Sequence, residues 1–64
     1  MNRQFYIFTD EAEKCTVKEE ELATIREFSD ILEAISYVRE QRGDEKVDIT
    51  SYGPTGMVVF TETI

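Results

Sequence analysis

The segment from Ser29 to Gly43 constrains the fold most, because it reads as a short amphipathic helix interrupting strand-forming sequence on both sides. Ser29 or Asp30 offers a side-chain oxygen to the unpaired N–H groups of a first turn, and Asp30 with Glu33 has the spacing of a capping box. Ile31, Ala34, Ile35 and Val38 fall within one stripe at about 100° per residue, with Leu32 on its margin and Tyr37 outside it. Asp30 and Glu33 suit the positive end of the helix dipole, Arg39 and Arg42 the negative end, and Gly43 the residue after the last turn. Such a helix has one face to bury, so it needs a sheet.

The flanking sequence supplies strands. Arg3 to Thr9 places Phe5 and Ile7 on one side and Tyr6 and Phe8 on the other, and apolar residues on both faces predict a central strand. Asp10 to Lys14 reads as a turn, and Cys15-Thr16-Val17-Lys18 resumes the alternation to close a first hairpin. Leu22 to Phe28 is ambiguous between a strand extension, a bulged continuation and an irregular link. Lys46 to Tyr52 alternates cleanly, Gly53-Pro54-Thr55-Gly56 is a turn with Pro at its second position, and Met57 to Ile64 is rich in β-branched and aromatic residues. Pairing Tyr52 with Met57 sets Ile49 opposite Phe60 and Ser51 opposite Val58. Val47, Ile49, Val58 and Phe60 then face the helix, and Tyr52, Met57 and Val59 face away. The expected architecture is a single two-layer α+β domain over residues 1–64: a ββαββ unit whose four-stranded, mainly antiparallel sheet carries one helix on one face.

Composition then excludes much chemistry. There is no histidine and one cysteine, so triads of the Ser–His and Cys–His kinds and an intramolecular disulfide are ruled out within these 64 residues. A net charge of −7 disfavours direct contact with nucleic acid or anionic lipid and favours basic protein partners. No apolar run approaches the roughly 20 residues that span a bilayer, and the N-terminus lacks the apolar stretch of a secretory signal. A cytoplasmic, non-catalytic protein without a cofactor is expected, and no motif is specific enough to name a family.

Each candidate site has a plain structural explanation beside it. Residues 10 to 21 hold Asp10, Glu11, Glu13, Glu19, Glu20 and Glu21 against Lys14 and Lys18, a local charge of −4 that is either a solvated surface or an acidic patch for a basic partner. Asp10, Glu11 and Glu13 lack the spacing and the glycine of a calcium loop. Cys15 suits a small apolar core position better than a reactive thiol, since strand alternation points Lys14 away from it. Gly53 to Gly56 lacks the lysine and helix of a phosphate loop and suffices as a turn.

The informative set is aromatic. One helix covers one face of a sheet, and Tyr6, Phe8, Tyr52, Met57 and Val59 are expected on the other, uncovered unless residues 10 to 21 or Leu22 to Phe28 fold across it. The sequence therefore predicts a protein–protein interaction module, most simply a homodimer formed through this face or through edge pairing of Met57 to Ile64. The alternative is an acidic inhibitor, or antitoxin-like protein, occupying a basic groove of a nucleic-acid-binding partner.

Overall fold

A computed structural model describes residues 2–20 and 25–64. Glu21 of the acidic run and Leu22, Ala23 and Thr24 of the ambiguous segment lie outside the described residues. The elements are β1 (Arg3–Thr9), β2 (Cys15–Glu19), β3 (Ile25–Phe28), α1 (Ile31–Arg42), β4 (Val47–Tyr52) and β5 (Val58–Thr63). They form a five-stranded mixed sheet in the order β3-β2-β1-β4-β5 with α1 on one face. The α+β class and the central position of β1 agree with the sequence reading. The sheet gains a strand, because Ile25–Phe28 pairs antiparallel with β2 instead of linking β2 to the helix. β1 and β4 pair parallel, which the helical crossover between them permits, while the other three pairings are antiparallel.

The helix begins where its side chains satisfy its first turn. Asp30 accepts a hydrogen bond from the Glu33 N–H at 2.9 Å, and the Glu33 carboxylate reaches back to the Ser29 N–H at 3.0 Å. Ala34 and Val38 are fully buried against Phe5, Ile7, Val17, Val47 and Ile49, with Ile31 and Ile35 packed beside them. Leu32, on the margin of the stripe, is 73% exposed. Tyr37 departs from the expected pattern by turning onto Phe28, with ring centroids 5.1 Å apart, a contact that only the unforeseen β3 provides.

Both tight hairpins use one geometry. In the first, Glu13 N–H bonds the Asp10 carbonyl and Asp10 N–H bonds the Lys14 carbonyl, each at 3.0 Å; in the second, Gly56 N–H bonds Gly53 and Gly53 N–H bonds Met57, at 2.9 and 2.8 Å. This turn needs a positive φ at its fourth residue, and Gly56 meets it at 85° while Glu13 is held at 66°. The second turn also corrects the expected register. Gly53, not Tyr52, faces Met57; Tyr52 then pairs with Val58, Ser51 with Phe60 and Ile49 with Glu62, leaving Val59 as the extra residue of a bulge. Val58 is consequently turned away from the helix, and Phe60 alone of the expected β5 pair faces it.

A helix is about 10 Å across, whereas five strands at roughly 4.8 Å spacing span about 19 Å. Helix α1 lies chiefly over β1, β2 and β3. Phe60 of β5 and Ile64 just beyond it are therefore only half-buried on the helix side, and a cleft opens between the start of α1 and the β4–β5 hairpin.

Candidate functional site

Strand alternation and register set the open face in three cross-strand rows. One runs Glu27, Thr16, Phe8, Tyr52, Val58; the next Ile25, Lys18, Tyr6, Thr50, Thr61; and the third, shorter, Gln4, Asp48, Thr63. The parallel pairing sets Phe8 beside Tyr52, whose rings stack at 5.2 Å with an 11° interplanar angle. Tyr6 leans onto Tyr52 at 6.4 Å and 34°. Aromatic pairs at these separations attract beyond their buried area, so the rings form a preformed ridge. Phe8 remains 44% exposed and Val58 52%, while Tyr6 and Tyr52 are half-buried. No described segment crosses this ridge from the helix side, because β3 extends the sheet at its far edge.

The third row is polar and tied together. Asp48 accepts from the Thr63 hydroxyl at 2.6 Å, the Gln4 amide at 2.9 Å and the Asn2 amide at 3.4 Å. These bonds, Thr63 foremost, hold its carboxyl below the ordinary value of 3.8. In the three rows the ionisable groups other than Tyr6 and Tyr52 are Lys18, Glu27 and Asp48.

The structure brings three of the five expected interface residues together, Tyr6, Phe8 and Tyr52, and sends two elsewhere. A Cβ on Gly53 would stand 3.3 Å from Val59 Cγ2 and 3.8 Å from Met57 Cγ, so both side chains flank Gly53, and Val59 lines the cleft on the helix side. The bulge at Val59 is the cause. Val58, assigned from sequence to the core, takes its place beside Tyr52.

The acidic run does not form one patch. The five residues of β2 separate Asp10, Glu11 and Glu13 at the hairpin from Glu20 beyond the other end. Asp10 is spent on the turn, where its carboxylate accepts from the Ala12 and Lys14 N–H groups at 2.9 and 3.0 Å. Glu19 is buried at 8% exposure on the helix side and makes a two-armed ion pair with Arg3, both arms 2.6 Å. The signal for this was available: Glu19 has the parity of Cys15 and Val17, and Arg3 that of Phe5 and Ile7. Arg3 also lies 5.2 Å from the Phe5 ring centroid and donates to the Gln41 carbonyl at 3.1 Å, tying the sheet to the end of α1.

Cys15 is 1% exposed, in the core cluster, with Sγ 3.5 Å from the Thr9 hydroxyl. Among the described residues no three His, Cys, Asp or Glu side chains converge as metal ligands, and no helix is long and apolar enough to cross a membrane. Comparisons with protein-family models, with curated proteins and with solved structures find no match. The functional reading therefore stands on geometry.

Proposed function

We propose that this protein is a non-catalytic interaction module that pairs with a second copy of itself through the open sheet face. The ridge of Phe8, Tyr6, Tyr52 and Val58 carries the reading, because clustered exposed apolar side chains on a small domain mark an interface. Tyrosine suits such a face, its ring apolar and its hydroxyl compatible with water. The open face is the part of the surface where charge least opposes a like partner. Two copies at −7 repel through most of their surface, but the open face offers Lys18 against Glu27 and Asp48, and a two-fold arrangement can set Lys18 of one copy near a carboxylate of the other. A stable interface takes about 800 Å² per partner, a large share of the 4542 Å² this chain exposes, so the dimer is expected to be weak and reversible.

Sedimentation velocity over a broad concentration range tests this. Wild type should shift from monomer to dimer with concentration, Phe8→Lys and Val58→Lys should stay monomeric, and Val59→Lys should dimerise normally. A monomer throughout, or a dimer broken by Val59→Lys and not by Val58→Lys, overturns the proposal. The exposed carboxylates at the first hairpin support a second reading, an acidic protein seated in a basic groove of a nucleic-acid-binding partner. Glu19 contributes nothing to that surface, since Arg3 already holds it. Salt-sensitive capture of a basic partner, abolished by charge reversal at Glu11 and Glu13, would favour it.

A further inference from the structure

On the helix side, at the carboxyl ends of the parallel strands β1 and β4, a cleft of about 380 Å³ lies between the first turn of α1 and the β4–β5 hairpin. That volume lies within the range of about 300–1,000 Å³ seen for small-molecule sites, and the carboxyl ends of parallel strands are where open sheets commonly hold ligands. Cys15 and Ser51 line it as buried residues, Ile31 and Phe60 as half-buried ones, and Glu13, Asp30 and Val59 as exposed ones. It exists because α1 is too narrow to cover β5.

Ser51 is the decisive residue. It is 2% exposed and lines the cleft, yet its hydroxyl has no hydrogen-bond partner among the described residues. The hydroxyl borders the cleft and is not among the sealed, unpartnered polar atoms of the described residues, where Arg42 Nε stands alone; it is therefore open to a hydrogen bond from a group that enters the cleft. The Thr9 hydroxyl, close by, is taken up by the Cys15 sulfur. Charge sets the other requirement. The lining holds the carboxylates of Glu13 and Asp30 and no basic side chain among the described residues, so it repels anions and attracts cations.

We infer that this cleft binds a small amphipathic amine: an apolar body between Ile31 and Phe60, a hydroxyl reaching Ser51, and an ammonium group at the mouth near Glu13 and Asp30. The cleft is on the opposite side of the sheet from the aromatic ridge, so this site and self-association stand or fall separately.

Amide chemical-shift titration with three probes tests it: tyramine, phenethylamine without the phenol, and 3-(4-hydroxyphenyl)propionate with the charge reversed. Tyramine should shift the amides of Thr9, Cys15, Ile31, Ser51 and Gly53 saturably. It should bind about fivefold tighter than phenethylamine, through the Ser51 hydrogen bond, and at least about tenfold tighter than the propionate. Ser51→Ala should erase the difference between the two amines. Val59→Trp, at a position 62% exposed and tolerant of a larger side chain, should block all three. No saturable shift up to the solubility limit, shifts confined to Tyr6, Phe8 and Tyr52, or an amine preference unchanged in Ser51→Ala would overturn the inference.

Discussion

The buried ion pair between Arg3 and Glu19 gives the sharpest test of how this small domain is held together. Its two members are unequally buried: the Arg3 side chain is 28% exposed and the Glu19 side chain 9%. Removing Glu19 leaves a guanidinium that still reaches water, the Gln41 carbonyl and, at 3.9 Å, Glu45. Removing Arg3 strands a carboxylate in the core. Breaking a buried pair from one side costs about 3–5 kcal/mol, and the residual solvation of Arg3 reduces the first case. Glu19→Leu is therefore expected to destabilise by about 2 kcal/mol and Arg3→Met by about 3–4 kcal/mol. The whole domain has roughly 3–10 kcal/mol at typical per-residue stability, so either change is a large fraction of it. In urea, with a slope of about 1 kcal/mol per molar, the far-UV circular dichroism midpoint should fall by about 2 M for Glu19→Leu and further for Arg3→Met. The double variant should return to within about 1 kcal/mol of the parent, because no charge is left unpaired. Losses below about 0.5 kcal/mol for both single variants, which is what an exposed surface pair would give, would refute the reasoning. So would a Glu19 variant worse than the Arg3 variant.

Two further outcomes follow from the backbone and the polar row. Glu13 occupies the positive-φ position that Gly56 fills in the other hairpin; relief of about 1–2 kcal/mol of backbone strain, less the extra unfolded-state freedom of glycine, should make Glu13→Gly more stable by about 0.5–1 kcal/mol in urea melts, whereas Gly56→Ala, with nothing within 4 Å of the added carbon, should lose about 1 kcal/mol through backbone strain alone. The Asp48 carboxyl is held below 3.8 by Thr63, Gln4 and Asn2, so it binds protons less readily folded than unfolded; its contribution is present above the unfolded value and lost as pH falls through the folded one. Asp48→Asn should flatten the stability profile in that acid range and leave its neutral part unchanged in shape, and a carboxyl NMR titration of Asp48 with a midpoint at or above 3.8 would contradict the hydrogen-bond assignment.

Periodicity, caps and turn chemistry, all local, were enough for much of the fold. The stripe from Ile31 to Val38, the Asp30 cap, the positive-φ glycine after the helix and the central character of Arg3–Thr9 each follow from residues within a turn or a strand of one another, so one sequence carries them in full. Ile25–Phe28 was not legible because a four-residue edge strand with two charges has little burial of its own; its pairing with β2 makes it a strand. The candidate face was half legible. Tyr6, Phe8 and Tyr52 lie on regular strands where alternation is reliable, while a single bulge residue exchanged Val58 and Val59 between faces.

The amino-acid sequence by itself determined that this chain has one short amphipathic helix among strands, a large acidic excess and no histidine chemistry, because these depend only on residue type and near-neighbour spacing. Tertiary structure decided the rest: that Glu19 leaves the acidic run for Arg3, that β1 and β4 run parallel so that Phe8 stacks on Tyr52, and that a helix about half the sheet's width leaves Ser51 beside an open cleft. Each of these joins residues more than ten positions apart, and their meeting depends on strand order and register, which no local pattern encodes.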